Sequence, residues 1–163
     1  AATMNLKRMF DNQHIAGDLK EVRVMTRQIA ECLALIHAKK YIHGDLKPLN
    51  ILQSQMVLKV IDFDAAVQQG DYMGIKVSTA YIPPEMFYSS DGETILIKER
   101  KLDENPEAYE LLKADPSFDM WSLGCLLYMM CTGGSLFPTN VVDNVFPADD
   151  LKYLYAWTDD VKK

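Results

Sequence analysis

The run Ile42-His43-Gly44-Asp45-Leu46-Lys47-Pro48-Leu49-Asn50 constrains this chain more than any other stretch. It acts together with Ile61-Asp62-Phe63-Asp64, whose Asp62 lies twelve residues beyond Asn50. The first run offers a carboxylate, a lysine and a carboxamide, and the second adds a carboxylate at the end of an apolar run of strand type. A general base, a point positive charge and two oxygen ligands for a hard cation are the parts that phosphoryl transfer from a nucleotide needs. Pro48 is expected to keep the first run from becoming helix.

The rest of the chain has to hold these groups together. Its 163 residues suit one domain, and 48% apolar with 25% charged residues is an ordinary globular composition. A net charge of −6 argues against nonspecific binding to nucleic acid or to an anionic membrane. It leaves room for an anionic nucleotide, since one lysine and a cation reverse the field locally. No apolar leader is visible in Ala1–Lys7, and the longest apolar run, Met120–Cys131, is too short to span a bilayer. Cys32, Cys125 and Cys131 form no CxxC pair and fall in apolar stretches, so buried, reduced thiols in a cytoplasmic protein are expected.

In chain order, residues 3–10 read as a short helix with Leu6, Met9 and Phe10 on one side, followed by a polar Asp11-Asn12-Gln13 loop. From Asp18 to Lys39, Val22, Met25, Ile29, Leu33 and Ile36 recur at three and four residues, which predicts a helix with one buried stripe. Asp18 is its N-cap, Glu21 stands at the capping-box position, and Lys39 and Lys40 suit its C-terminal dipole. Ile51-Leu52 and Val57–Ile61 read as a small β-hairpin turning at Gln53-Ser54-Gln55. Residues 65–81 read as loop, closed by a helical turn at Tyr81–Glu85. Ser89–Gly92 reads as a turn and Thr94–Lys98 as extended, and Asn105-Pro106-Glu107 is expected to start a helix over 106–114 that buries Tyr109 and Leu112. Phe118–Thr132 is apolar on nearly every side, which predicts a central buried helix ended by Gly133-Gly134. Residues 149–157 read as a last amphipathic helix capped by Asp149 and Asp150. The fold class is therefore mainly α, of α+β type.

The two opening runs resemble the catalytic loop and the metal-binding turn of protein kinases, written HRDxKxxN and DFG in that family. Two further segments extend the likeness. Val77–Glu85 (VSTAYIPPE) resembles GTxxYxAPE, and Phe118–Gly124 (FDMWSLG) resembles the DxWSxG opening of the central helix of the kinase C-lobe. The resemblance covers about residues 3 to 157, with its four motifs in family order. It implies a serine/threonine protein kinase that transfers the γ-phosphate of Mg-ATP to a protein hydroxyl. Asp45 would take the hydroxyl proton, Lys47 would hold the phosphate, and Asn50 and Asp62 would bind Mg²⁺. Leu52 would lie beneath the adenine, and Ser78 would occupy the hydroxyl position that bridges Asp45 and Lys47. His43 and Phe63 would stack as supports anchored by Asp119. Lys47 resembles the serine/threonine-directed form of the loop.

Gly44 stands where the family usually has Arg, Asp64 where it has Gly, and Pro83 where it has Ala. Without that Arg, the usual control by a phosphorylated activation-loop residue is not expected. Asp64 restricts a hinge and adds negative charge beside the cation. No glycine-rich phosphate loop and no strand lysine of the VAIK type occur. The likeness thus implies that residues 1–163 are a partial domain, a C-lobe lacking the N-lobe and the last helices. Glu85 would be left without the family's Arg, and the isolated chain would bind ATP poorly. Two other functions share parts of this pattern. A pseudokinase scaffold would have no need of Asp45, Lys47, Asn50 and Asp62 together. Small-molecule phosphotransferases of the aminoglycoside or choline kinase type carry HGDxxxxN and IDF but lack the YxxPE and DxWSxG segments.

Overall fold

The computed structural model describes residues 4–11, 17–74, 76–99, 109–141 and 143–157. Its frame is a pair of long helices. Helix α2 (Leu19–Ala38) follows the short helix α1 (Leu6–Asp11), and α3 (Pro116–Thr132) packs against α2. The predicted stripe of α2 is its buried face, with Val22, Met25, Ile29 and Leu33 inside and Ile36 half-buried. Burying such a side chain contributes about 1.5–3 kcal/mol each relative to exposure. The Asp18 side chain accepts from the N–H groups of Lys20 and Glu21, so two of the four orphan donors at that end are satisfied.

Helix α3 begins with Asp115 as N-cap and Pro116 at its first position, and Gly133 ends it at φ 80°, a left-handed angle suited to glycine. Phe118, Leu123, Cys125, Leu126, Met129 and Met130 are buried. Burial is not all round, however. Met120, Leu127 and Tyr128 are exposed, because α2 and the Tyr81 segment cover only one side of the helix. Cys131 lies on the exposed side and Cys32 is half-buried, so of the three thiols only Cys125 is buried as expected.

Three small antiparallel sheets complete the fold. β1 (Met4–Asn5), β3 (Ile51–Ser54) and β4 (Val57–Val60) form one sheet in the order β1-β3-β4. The first element is thus a strand followed by a helix, where the sequence predicted helix throughout. The Phe10 side chain and residues 12–16 lie outside the described residues. The β3–β4 turn sits at Gln55-Met56, both with positive φ, one to two residues later than the turn composition indicates. β2 (Tyr41–Ile42) pairs with β5 (Val67–Gln68), which interrupts the predicted 65–81 loop. β6 (Phe87–Tyr88) pairs with β7 (Leu96–Ile97), inside the stretch predicted to be extended. Residues 109–114 are not helical, and Lys113 instead bridges to Tyr72. Tyr109 and Leu112 are half-buried there, and the expected start at Asn105-Pro106-Glu107 lies outside the described residues. The last helix is shorter than predicted. A 3-10 turn, Ala148–Asp150, leads into α4 (Leu151–Tyr155), and Asp150 makes no side-chain cap bond. No described helix is long and apolar enough to cross a membrane.

Candidate active site

The site grows from the strand ends. After β2, the chain passes His43 and Gly44, and Pro48 opens a 3-10 turn, Pro48–Asn50. Proline therefore starts a short helical turn where the sequence predicted none, since its fixed φ suits a first helical position. Asp119, fully buried in the first turn of α3, anchors this stretch. It accepts from the backbone N–H of His43 (2.9 Å) and of Gly44 (3.0 Å) and lies 2.8 Å from His37 Nε2 at the end of α2. A carboxylate in the core is costly unless its oxygens are hydrogen-bonded, and these three N–H groups supply those bonds. The sequence assigns no role to His37. The demand of a buried Asp119 for a partner was its only signal.

His43 is fully buried with both ring nitrogens engaged. Nε2 lies 3.1 Å from the Ile61 carbonyl and so must donate, which leaves Nδ1 to accept the Asp45 N–H at 3.3 Å. The ring therefore joins the loop of Asp45 to the strand end before Asp62 and is not free for proton transfer. Phe63 meets it edge-on at 5.2 Å between centroids.

Asp45 and Lys47 form the polar centre. Lys47 Nζ is 2.8 Å from Asp45 Oδ2 and 2.8 Å from Ser78 Oγ, with Ser78 itself buried. Asn50 Nδ2 donates to the Asp45 carbonyl at 2.8 Å and to Oδ2 at 3.2 Å. One carboxylate oxygen is thus fixed by two donors, and Oδ1 is buried without a hydrogen-bond partner among the described residues. Asp62 adopts φ 65°, a left-handed angle that Asp bears better than most residues, and it ends the β4 segment exposed.

A cleft of about 310 Å³ gathers Asp45, Lys47, Asp62 and Ser78, together with Asp64, Ala65, Lys76, Val77 and Asn144. Lys76 stands 3.4 Å from Asp64, across an exposed pair. Asn50 sits behind Asp45 rather than in the lining. Leu52, half-buried on β3 between Asn5 of β1 and Lys59 of β4, is also outside the lining. Lys76 and Asn144 were not anticipated, and no local pattern around them marks them. Glu85 is exposed and forms no ion pair among the described residues.

Asn50 turns its NH₂ toward Asp45, which leaves its carbonyl oxygen without a bond among the described residues, on the same loop system as the Asp62 carboxylate. An amide oxygen with one or two carboxylates is the donor set of a cation such as Mg²⁺, which takes its remaining ligands from phosphates and water. No group of three or more His, Cys, Asp or Glu residues that could hold a metal occurs among the described residues.

Comparison with known proteins identifies the family of the chain. The chain is 33% identical over 131 residues to the serine/threonine-protein kinase RAD53 of Saccharomyces cerevisiae, an alignment that covers 76% of this chain and 15% of that protein. It is 35% identical over 139 residues to the human dual specificity tyrosine-phosphorylation-regulated kinase 4, covering 83% and 23%. It is 35% identical over 120 residues to the probable serine/threonine-protein kinase mps1 of Dictyostelium discoideum, covering 69% and 11%. The chain spans 11–23% of the length of these relatives. The family model described as the protein kinase domain matches residues 2–158, so the chain belongs to the protein kinase family and has its fold of helices with small sheets.

Proposed function

We propose that this chain supplies the C-lobe of a serine/threonine protein kinase, and that the polypeptide containing it transfers the γ-phosphate of Mg-ATP to a protein hydroxyl. One observation carries the reading. Asp45 has one oxygen fixed by Lys47 and Asn50 and the other unpartnered, in the cleft that also holds Asp62. A base needs a fixed orientation, which Lys47 and Asn50 give, and an oxygen that no other donor occupies, which the buried Oδ1 keeps.

In this reading the Asp45 carboxylate accepts the proton of the acceptor hydroxyl and orients its oxygen toward the γ-phosphorus. Lys47 sits next to the developing charge as a point cation, held in place by Ser78. Asn50 and Asp62 would hold Mg²⁺ through oxygen. Bound there, the cation neutralises charge on the phosphate oxygens. Leu52 is assigned to the floor beneath the adenine by resemblance alone. The preference for Ser or Thr is supported by Lys47 and by the names of two of the relatives, both serine/threonine-protein kinases.

The test is phosphate incorporation by the full-length protein with Mg-ATP and a Ser/Thr-containing protein acceptor. Asp45→Asn keeps the size of the side chain and the bonds to Lys47 and Asn50 within reach but removes the base. It should lower the rate by about 10²- to 10⁴-fold. Incorporation at the wild-type rate would sink the assignment.

A further inference from the structure

Ser78 holds Lys47, but nothing regular in the backbone holds Ser78, because residues 76–80 form no helix or strand. The neighbour of Asp45 does not help. Gly44 lines a groove with Lys76 and Val77 and presents no side chain to them. The segment is held from the far side instead. The backbone N–H of Thr79 donates to Asn144 Oδ1 at 2.9 Å, and the Thr79 hydroxyl reaches the same oxygen at 3.3 Å. That hydroxyl also accepts the N–H of Val145 at 2.8 Å, and the N–H of Ala80 points to the Asp143 carbonyl at 3.4 Å. Two consecutive backbone donors directly after Ser78 are therefore taken by one turn, some 65 residues away in sequence.

This turn is itself firm. Asn144 N–H donates to Asn140 Oδ1 at 3.0 Å, and Asn140 N–H donates back to the Asn144 carbonyl at 2.9 Å. The Asp143 carboxylate, nearly fully buried, pairs with Lys7 of α1 at 2.7 Å. Asn144 also lines the cleft that contains Asp45 and Lys47.

We infer that Asn144 is a positioning residue: through Thr79 it holds Ser78 against Lys47, and so fixes the lysine beside Asp45. The inference rests on the proposed phosphotransfer reaction and adds a residue to it. A carboxamide oxygen that collects two donors from one residue fixes that residue in direction as well as in distance. Losing it leaves the Thr79 N–H without its partner and lets the segment drift. A drift of about 1 Å at a reacting group costs about a hundredfold in rate.

Four forms of the full-length protein test this: Asn144→Ala, Thr79→Val, Thr79→Ser and the double variant Asn144→Ala with Thr79→Val. Asn144→Ala and Thr79→Val should each lower kcat by about ten- to a hundredfold, with KM for ATP within about twofold of wild type. Thr79→Ser keeps the hydroxyl and should recover kcat to within about threefold of wild type. The double variant should be little worse than either single, because both break one clamp. Amide hydrogen exchange across Ser78–Tyr81 reads the clamp independently of activity. It should accelerate in Asn144→Ala and Thr79→Val and stay near wild type in Thr79→Ser, in samples whose thermal melts show a folded domain. Unchanged exchange, additive losses of kcat, or equal losses in Thr79→Ser and Thr79→Val would overturn the inference. If wild type incorporates no phosphate while Asn144→Ala still accelerates exchange, the kinase reading fails and the clamp stands.

Discussion

At the scale of single residues, Gly44 shows how a departure from a family pattern can be a requirement of this backbone. Its φ is 79°, and a Cβ built there would lie 2.6 Å from the Ala65 carbonyl oxygen and 3.3 Å from Met73 Cε. Read as sequence, Gly44 only removes an arginine. In the fold, the path of the 65–73 segment over the loop excludes any side chain at 44. Gly44→Ala should therefore destabilise the protein by more than the roughly 1–2 kcal/mol that a left-handed L-residue costs alone, because the Ala65 backbone must also move. A urea unfolding midpoint that stays at the wild-type value would show that this carbonyl yields freely. Legibility at this scale follows distance along the chain. Asp45, Lys47 and Asn50 could be named together because they sit within six positions of one another, and Ser78 because a second motif carries it. His37 and Asn144 could not, since their partners Asp119 and Thr79 stand 82 and 65 residues away and no periodicity links them.

Elements were legible where they are long enough to show a period. Helices α2 and α3 run for 20 and 17 residues. The apolar spacing and Asp18 cap of α2 and the Gly133 stop of α3 agree with the folded ends, while α3 begins two residues before Phe118, at Pro116 behind an Asp115 cap. The two-residue strands β1, β2 and β5 carry no alternation, and their pairing depends on where the long helices bring them. The β3–β4 turn was misplaced because Gln55 and Met56 take positive φ without the glycine or asparagine that usually announces such a turn. How the short helix α1 is tied down could not be read either. Lys7 crosses to Asp143, whose second oxygen is buried without a partner among the described residues. Replacing one member of such a pair leaves an uncompensated buried charge. Lys7→Met should therefore cost about 3 kcal/mol in unfolding free energy, towards the low end for buried pairs because Lys7 is partly solvated. Adding Asp143→Asn should recover part of that loss, since the charge is gone and Asn tolerates the left-handed angle at 143. If the double variant is no more stable than Lys7→Met, the pair is not what holds α1.

For the whole molecule, the packing of the Tyr81 segment on α3 sets a limit at alkaline pH. Ser122 Oγ donates to the Tyr81 carbonyl at 2.6 Å, and the Tyr81 hydroxyl points at Met129 Sδ, so the motif that closes the site loop is seated on the central helix. Burial pushes the Cys125 thiol up from 9.0 to about 12. Burial, with Asp143 nearby, also raises the Tyr81 phenol well above its ordinary value of 10.0. Both groups keep their protons in the native state at pH values where the unfolded chain releases them. Between pH 9 and about 12 the native state binds more protons at Cys125 than the unfolded state does, so stability falls as pH rises. The slope from one such group is about 1.4 kcal/mol per pH unit, and Tyr81 steepens it above pH 10. Urea unfolding should thus show constant stability from these groups below pH 9 and a decline above it, and Cys125→Ala should flatten the limb between pH 9 and 10. Thiol labelling gives the matching kinetic observation. The exposed Cys131 should react with a maleimide at pH 8 in the folded protein, while Cys125 reacts only as the domain opens. A Cys131→Ser protein whose Cys125 labels as fast folded as unfolded would mean that α3 does not seat the Tyr81 segment tightly. An alkaline limb that survives Cys125→Ala unchanged would assign the loss of stability to other groups.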